Sequence, residues 1–287
     1  MNPWLPAAPC APGTCAAHTG RTRLRPVAAA LLLAGCAWVL AGALGAPFLP
    51  LFGPTRRERL IRRWSYGAVR AFGVRVRVTG APVPPAGTPG TLVVANHISW
   101  LDIPLVAAVL PGRMLAKREI RQWPVLGPLA ARGGTLFVDR DRLRALPATV
   151  RALAAAMRGG SRVVVFPEGT TWCGRGPGGR FGPAAFQAAI DADATVLPVR
   201  IGYRVTGHGA AAPAERHAPA GAAAFVGDDP LPASLWRVVR AAGLTAELHV
   251  LQPVPAGALP DRRALARRAQ RAVASESANR SPESVHH

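Results

Sequence analysis

A histidine and an aspartate lie five residues apart, directly after an apolar run. His97 and Asp102 follow the apolar stretch 93–95, which contains two β-branched valines, and Pro104 opens a second apolar segment. This pattern predicts a strand, a tight corner and a helix. Residues five apart point about 140° apart on one helix, so the two side chains meet only if the histidine lies in the corner and the aspartate in the first helical turn. The carboxylate would then hold Nδ1–H and leave Nε2 free as a base.

The same spacing also fits a capping box. Ser99 would then be the N-cap of the helix, Asp102 would reach back to it, and His97 would be a corner residue without chemistry. The spacing by itself leaves both interpretations open, although in either one we expect Ser99 to be a cap and not a nucleophile.

Four short motifs occur in one order along the chain. They are Asn96-His97-x-Ser99-x-x-Asp102, Gly134-Thr135-Leu136-Phe137-Val138-Asp139-Arg140, Phe166-Pro167-Glu168-Gly169-Thr170 and Val196-Leu197-Pro198-Val199. Together they resemble the motifs of the glycerolipid acyltransferases, the 1-acyl-sn-glycerol-3-phosphate acyltransferase family. The resemblance covers about residues 54–255, and its first and third motifs are the specific ones.

The resemblance implies an enzyme that moves a fatty acyl group from acyl-CoA or acyl carrier protein to the free hydroxyl of 1-acyl-glycerol-3-phosphate, giving phosphatidic acid. Such a transfer needs a base for the hydroxyl, a stabilised oxyanion and aligned substrates. We expect His97 to be the general base and Asp102 to orient it. Direct attack needs no nucleophilic side chain, and the chain has no Gly-x-Ser-x-Gly elbow. We expect no cofactor besides the acyl donor.

Further residues are expected to bind the acceptor. By resemblance, Glu168, Gly169 and Thr170 contact it, and Arg140 clamps its phosphate. Lys117 is the only lysine of the chain and falls where the family often has one.

Each charged group also has a plain structural alternative. Glu168 can cap its own loop, and Arg140 can pair with a neighbouring aspartate. Thr171 stands where the family often has arginine, which weakens the phosphate assignment there; Arg175 and Arg180 are the cations that would have to replace it. This departure keeps a second acceptor open, a lyso-aminolipid such as lyso-ornithine lipid.

The chain has 287 residues, a net charge of +20 and 49% hydrophobic residues. Such a charge favours polyanions, either nucleic acid or an anionic membrane surface. Few aromatic residues interleave the basic ones, which argues against nucleic acid. The expected partners are therefore the lipid bilayer, the acyl donor and the lysophospholipid acceptor, with no nucleic acid.

Composition changes along the chain predict its organisation. We expect a disordered basic arm (1–25), an uncharged membrane segment (26–55), the acyltransferase domain (56–274) beginning with an interfacial helix (56–72), and a disordered tail (275–287). Strands alternate with helices in the domain, which predicts an α/β fold with a mostly parallel or mixed sheet flanked by helices.

The membrane segment allows three interpretations. Residues 27–46 as a helix reach about 30 Å, enough for a single span. The prolines that follow also allow two short helices that dip into one leaflet, and residues 41–43 imitate a signal-peptide cleavage site. Arginines are denser on the C-terminal side, so we expect the catalytic domain at the cell membrane on the cytoplasmic side.

The four cysteines show no metal-binding spacing. Cys173 alone falls in the presumed domain, so we expect no disulfide to staple it and consider it a bystander thiol. Cys10, Cys15 and Cys36 precede the domain. We therefore expect no metal site.

Overall fold

A computed structural model describes residues 6–84, 87, 90–139, 142–206 and 219–278. Its centre is an eight-stranded mixed sheet of order β1-β7-β6-β2-β5-β3-β4, in which β8 also pairs with β6. The strands are β1 Arg75–Gly80, β2 Thr91–Ala95, β3 Arg113–Lys117, β4 Leu136–Val138, β5 Arg162–Val165, β6 Thr195–Val205, β7 Leu244–Val250 and β8 Val254–Pro255. The central pairs of β2 with β5 and with β6 are parallel, whereas β6 runs antiparallel to β7 and β8.

Helices cover both faces of this sheet. They are α1 Pro12–Cys15, α2 Arg25–Gly45, α3 Pro54–Ala71, α4 Asp102–Val109, α5 Leu126–Arg132, α6 Leu146–Arg158, α7 Ala184–Asp191, α8 Leu231–Arg240 and α9 Arg262–Ala278. One core contains residues of α2, α3, α4 and α8, and the other contains residues of α6, α7 and α9. The predicted α/β fold with a mixed sheet is confirmed.

The central strands are apolar throughout because both of their faces are buried. Along β2, Val93 and Ala95 belong to the first core, whereas Leu92 and Val94 belong to the second. All five residues of β2 are buried. A strand covered on both sides has no need for polar alternation, which is why the sequence before the histidine is a continuous apolar run.

The N-terminal arm is ordered from residue 6 onward, so its predicted disorder is wrong for these residues. The Arg23 backbone N–H donates to the Arg240 carbonyl (2.8 Å), and the Arg23 guanidinium donates to the carbonyls of Val239 (2.8 Å) and Gly73 (2.7 Å). The arm pairs its polar backbone with the domain, a source of order that its composition does not reveal. Residues 1–5 lie outside the described part.

The tail prediction needs a correction at its start. α9 continues to Ala278, so the boundary at 275 falls inside a helix. Residues 279–287 lie outside the described residues.

α2 and α3 form a tightly packed hairpin. A Cβ placed on Gly42 would lie 2.1 Å from Trp64 Nε1, and one on Gly35 would lie 2.3 Å from the Phe72 ring. The two glycines, seven residues apart on α2, thus form holes for aromatic side chains of α3 and its C-cap. Trp38 Nε1 donates to the Trp64 carbonyl (3.0 Å), and Trp64 Nε1 donates to the Trp38 carbonyl (3.2 Å).

The hairpin is fastened to the domain at both ends. Arg57, near the start of α3, donates to the carbonyl of Arg132 at the end of α5 (3.2 Å), and Glu58 pairs with the buried Arg162 (3.3 Å). The apolar stripe of α3 packs inward through Ala68 and Phe72, each under 5% exposed. The predicted interfacial helix 56–72 thus begins at Pro54, and part of its apolar face covers protein.

The exposed side of α2 and of the turn that follows it is apolar, whereas α3 exposes arginines. Leu33, Leu44, Phe48 and Leu51 are each more than half exposed. By length and composition only, the helical stretch Arg25–Leu51 is long and apolar enough to cross a membrane.

Candidate active site

The motif residues collect at one edge of the sheet. β2, β5, β3 and β4 are parallel neighbours, so their C-terminal ends face the same way. His97 follows β2, Glu168 follows β5, Lys117 ends β3 and Asp139 follows β4. Neighbouring strands are about 4.8 Å apart, so the strand of Lys117 lies about 10 Å from that of His97.

The predicted histidine–aspartate pair is present. β2 ends at Ala95, the chain turns through His97, and α4 begins at Asp102. His97 Nδ1 lies 2.8 Å from Asp102 Oδ2, and the carboxylate is fully buried. A carboxylate only accepts hydrogen bonds, so Nδ1 carries the proton and Nε2 is left as the basic nitrogen.

Asp102 also receives three other donors. Its Oδ2 accepts the backbone N–H groups of Ile98 (2.6 Å) and Ser99 (2.9 Å), and its Oδ1 accepts the Tyr203 hydroxyl (2.6 Å). The same carboxylate therefore pairs with the imidazole and reaches back to the turn. Both contacts that the spacing allowed are therefore present, but the N-cap of α4 is Leu101, so the expectation that Ser99 is the N-cap is wrong. The role of His97 as a base stays a prediction.

Tyr203 is held in its protonated form. Burial raises the pKa of this hydroxyl well above its usual value, and the negative charge of Asp102 raises the pKa further. The hydroxyl therefore remains a donor to the carboxylate at all physiological pH values. Four donors around a buried carboxylate fix its position and hence that of the imidazole.

The imidazole is held on its face as well as at its edge. The His97 ring stacks on Phe166, with 4.1 Å between ring centroids and 18° between the planes. The His97 side chain remains 19% exposed. It opens into a small pocket shared with Glu168, Trp172 and Arg200.

Glu168 links the third motif to the histidine. Its Oε2 accepts the His97 backbone N–H (2.7 Å), and its Oε1 accepts the Gly179 N–H (2.9 Å). Burial raises the pKa of Glu168 to about 7, although the two backbone donors lower it. Gly178 is required beside it, because its φ is +74° and a Cβ there would lie 2.4 Å from Oε1. These contacts are those of the loop-capping alternative; acceptor binding by Glu168 stays a prediction.

The other predicted binding residues have different placements. Gly169 has a φ of +75° and lies against Pro6 of the arm, and Thr170 is half-buried. Lys117 is exposed and does not line the described pocket. Arg140 lies outside the described residues. The structure thus brings His97, Asp102 and Glu168 together and leaves Lys117 apart from them.

Sequence reasoning gave Asn96 no role of its own and did not include Trp172 or Tyr203 in the site. The Asn96 side chain accepts the Ile201 N–H (2.8 Å) and donates to the Ile201 carbonyl (2.9 Å), which locks β2 to β6. The Trp172 backbone N–H donates to the His97 carbonyl (2.7 Å), and its indole N–H is buried with no hydrogen-bond partner among the described residues. Buried and half-buried residues alternate along the end of β6, and Tyr203 lies on the same buried face as Ile201. This alternation was the sequence signal that could have placed Tyr203 in the interior.

The fold brings three of the four cysteines together. The Sγ atoms of Cys10, Cys15 and Cys173 lie within 4.8 Å of one another. Their separation in the sequence concealed this, because the arm returns to a loop about 160 residues further along the chain.

Comparison with known proteins gives a family match and similar relatives. Residues 75–202 match the family model described as Acyltransferase. The chain is 39% identical to a lyso-ornithine lipid O-acyltransferase of Pseudomonas aeruginosa, over 80% of each chain. It is 37% identical to a 1-acyl-sn-glycerol-3-phosphate acyltransferase of Neisseria gonorrhoeae, over 74% of this chain and 78% of the relative.

A solved structure has a similar fold. It is the 1-acyl-sn-glycerophosphate acyltransferase of Thermotoga maritima, with a TM-score of 0.64 over 88% of this chain and 94% of that one. At 20% identity this likeness supports the fold alone.

Proposed function

Because this chain belongs to the acyltransferase family that acts on lysolipids, we propose that it moves a fatty acyl group from acyl-CoA or acyl carrier protein to a lysolipid hydroxyl, with His97 as general base. The observation that carries the mechanism is the 2.8 Å contact between His97 Nδ1 and the buried Asp102. It leaves Nε2 as the nitrogen that can take the proton of the acceptor hydroxyl.

The reaction runs as one acyl transfer. Nε2 takes the proton of the acceptor hydroxyl while the hydroxyl oxygen attacks the thioester carbonyl carbon. The C–S bond then breaks, and the departing thiolate takes the proton back from the imidazolium. Asp102 stabilises the imidazolium between these steps, and its four donors keep it from moving.

The oxyanion formed in this step needs a donor. We assign this role to the Trp172 indole N–H, which is buried, has no protein acceptor among the described residues and belongs to a residue that lines the pocket of His97. A buried donor without an acceptor is costly for the folded protein, whereas a substrate oxygen would satisfy it.

For the acceptor we propose 1-acyl-glycerol-3-phosphate, with phosphatidic acid as the product. Lys117 ends β3 at the same sheet edge as His97, where its charge could meet a head group. Arg140, which lies outside the described residues, is kept as a second predicted cation from the motif. The Neisseria relative named for this acceptor supports the proposal.

A second acceptor, lyso-ornithine lipid, is supported by a specific observation. The Pseudomonas relative carries that name, and Thr171 stands where the family often has arginine. The Thr171 hydroxyl donates to the Phe225 carbonyl, so this position is used for holding the loop.

Purified membranes that contain the protein separate the two acceptors. Each lysolipid is offered with acyl-CoA and with acyl carrier protein, and membranes with the His97→Ala variant are the matched control. We expect the larger His97-dependent kcat/KM with 1-acyl-glycerol-3-phosphate. A larger value with lyso-ornithine lipid would identify that lipid as the acceptor. The absence of His97-dependent transfer to both lysolipids would refute the mechanism.

We also propose that the hairpin α2–α3 attaches the enzyme to the cytoplasmic face of the cell membrane without crossing it. The exposed apolar side of α2 supplies the attachment, and the contacts of Arg57 and Glu58 hold α3 on the domain. The arm before α2 is hydrogen-bonded to the domain through Arg23. Arm and domain therefore lie on the same side.

Trypsin digestion of oriented vesicles tests this arrangement. In inverted vesicles we expect cleavage both in the arm and in the domain, and in right-side-out vesicles protection of both. Opposite protection of arm and domain would demonstrate a span. A mature N-terminus near Leu44, read by mass spectrometry, would demonstrate a cleaved signal peptide.

A further inference from the structure

Three thiols meet between the N-terminal arm and the loop of the third motif. Cys10 precedes α1, Cys15 is its last residue, and Cys173 lies in the loop that carries Glu168. The three Sγ atoms lie within 4.8 Å of one another. Cys173 is buried, and the other two are half-buried. The mechanism above uses none of them.

The spacing of the sulfur atoms suits a thiophilic cation. Zn²⁺ holds thiolate sulfur at about 2.3 Å, which places tetrahedral sulfur ligands about 3.8 Å apart. The observed limit of 4.8 Å differs from this by about 1 Å, and Cys10 and Cys15 are carried by a short arm segment. Their half-exposed positions leave one side for a fourth ligand such as water.

The surroundings suit an anionic cluster with a partly apolar wall. Ala224 and Val226 pack with Cys173 on the buried side. The guanidinium of Arg175 donates to the Thr14 carbonyl (3.4 Å), next to Cys15, and brings a positive charge to the cluster. The Thr14 hydroxyl donates to Cys15 Sγ at 3.7 Å. The Cys173 thiol contacts the Arg175 carbonyl only weakly, at 3.9 Å, and gives up this contact when it ligates.

A disulfide explains this arrangement less well than a cation does. A disulfide joins two sulfur atoms and leaves the third thiol beside it, where it attacks the bond by thiol–disulfide exchange. A cation engages all three. All three cysteines are free thiols in this structure.

We propose that Cys10, Cys15 and Cys173 form a Zn²⁺-binding site that fastens the N-terminal arm to the catalytic loop. Each ligating thiol releases its proton to solvent on binding. The site lies in the same arm that places Pro6 against Gly169, next to Glu168. Bound Zn²⁺ would therefore hold the arm over the edge of the active-site loop.

The test uses the full-length protein in detergent, reduced, freed of metal by a chelator and then titrated with Zn²⁺ or Co²⁺. We expect about one Zn²⁺ per chain and, with Co²⁺, the absorption of thiolate-to-metal charge transfer. Cys10→Ser, Cys15→Ser and Cys173→Ser should each weaken binding by about 100-fold or more. Cys36→Ser is the matched control, because that thiol lies on α2, and it should bind as wild type does.

Two outcomes would overturn the site. Binding that survives in the three serine variants would assign the metal to other groups, such as histidines. A disulfide between two of the three cysteines in protein purified without reductant, with free thiols blocked at cell lysis and the link found by non-reducing peptide mapping, would replace the metal by a covalent link.

A measurement on the unmodified chain guards against variants that fail to fold. Zn²⁺ should slow alkylation of Cys10, Cys15 and Cys173 by iodoacetamide, followed by mass spectrometry, and leave Cys36 unchanged. It should also slow tryptic cleavage at Arg21, because the arm is fastened on both sides of it. Equal alkylation with and without Zn²⁺ would refute the proposal whatever the variants show.

Discussion

Replacing Asp102 by asparagine tests the reasoning about the catalytic pair most sharply. The carboxylate accepts three N–H donors on Oδ2 and the Tyr203 hydroxyl on Oδ1. An asparagine keeps one acceptor oxygen. If its NH2 group replaced Oδ2, it would face three donors, so we expect the amide oxygen there and the NH2 group towards Tyr203. His97 would then keep its orientation and its tautomer.

The expected loss follows from this orientation. What disappears is the negative charge that stabilises the imidazolium, and a hydrogen bond to a charged group is worth about 1.5–3 kcal/mol. The substitution should therefore lower kcat/KM by about 10- to 150-fold. In Ser-His-Asp sites the same change costs about 10⁴-fold, because there the imidazole takes the wrong tautomer.

The assay is acyl transfer to the better of the two lysolipids, with 15N NMR of the imidazole to identify the protonated nitrogen. Asp191→Asn is the control, because this exposed residue lies on α7 and its contact with Gln187 survives the change. A loss near 10⁴-fold with the proton on Nε2 would show that the amide takes the other orientation. Activity within about threefold of wild type would show that the charge of Asp102 is not used.

The remaining predictions concern single groups of the site. His97→Ala should lower kcat by about 10²–10⁴-fold without loss of fold by circular dichroism, and activity within about threefold of wild type would contradict a general base. Lys117→Ala and Arg140→Ala should each lower kcat/KM for a phosphate acceptor by about 10- to 150-fold, with the KM of the donor unchanged. Trp172→Phe should lower kcat by about 10²-fold or more with KM unchanged. A change in KM alone would show that the indole N–H does not stabilise the oxyanion. Folding raises the pKa of Glu168 from 4.5 to about 7. Between these two pH values the carboxyl group is protonated in the folded chain and ionised in the unfolded chain. The free energy of unfolding should therefore fall by about 3 kcal/mol as pH rises from about 4.5 to 7, and this slope should vanish in Glu168→Gln; equal pH profiles in thermal unfolding would contradict it.

The local part of the site could be predicted from the sequence because it is built within one turn. His97 and Asp102 are five residues apart, and the strand, corner and helix between them follow from residue types and Pro104. The same locality explains why two interpretations competed. One carboxylate has enough acceptor sites for the turn and for the imidazole, so the spacing satisfied both.

The distant part could not be predicted, because it depends on which strands are neighbours. Tyr203 reaches Asp102 only because β6 lies beside β2, and Asn96 secures that pairing through Ile201. The arm was misjudged for a related reason. Its composition lacks an apolar period, yet its backbone pairs with α8 through Arg240, and periodicity carries no information about such pairing.

The hairpin changes what the arginine distribution around the apolar segment means. For a single span, the arginines before and after it lie on opposite sides, and their unequal numbers decide the orientation. Here α3 returns along α2 and both its ends touch the domain, so arginines such as Arg23 and Arg57 lie on one side together. In the attachment proposed above, the charges of these two groups of arginines would add instead of competing. An anionic membrane surface would attract each cation near it with about 1 kcal/mol, so charge would strengthen the attachment that we propose for the exposed apolar side chains of α2.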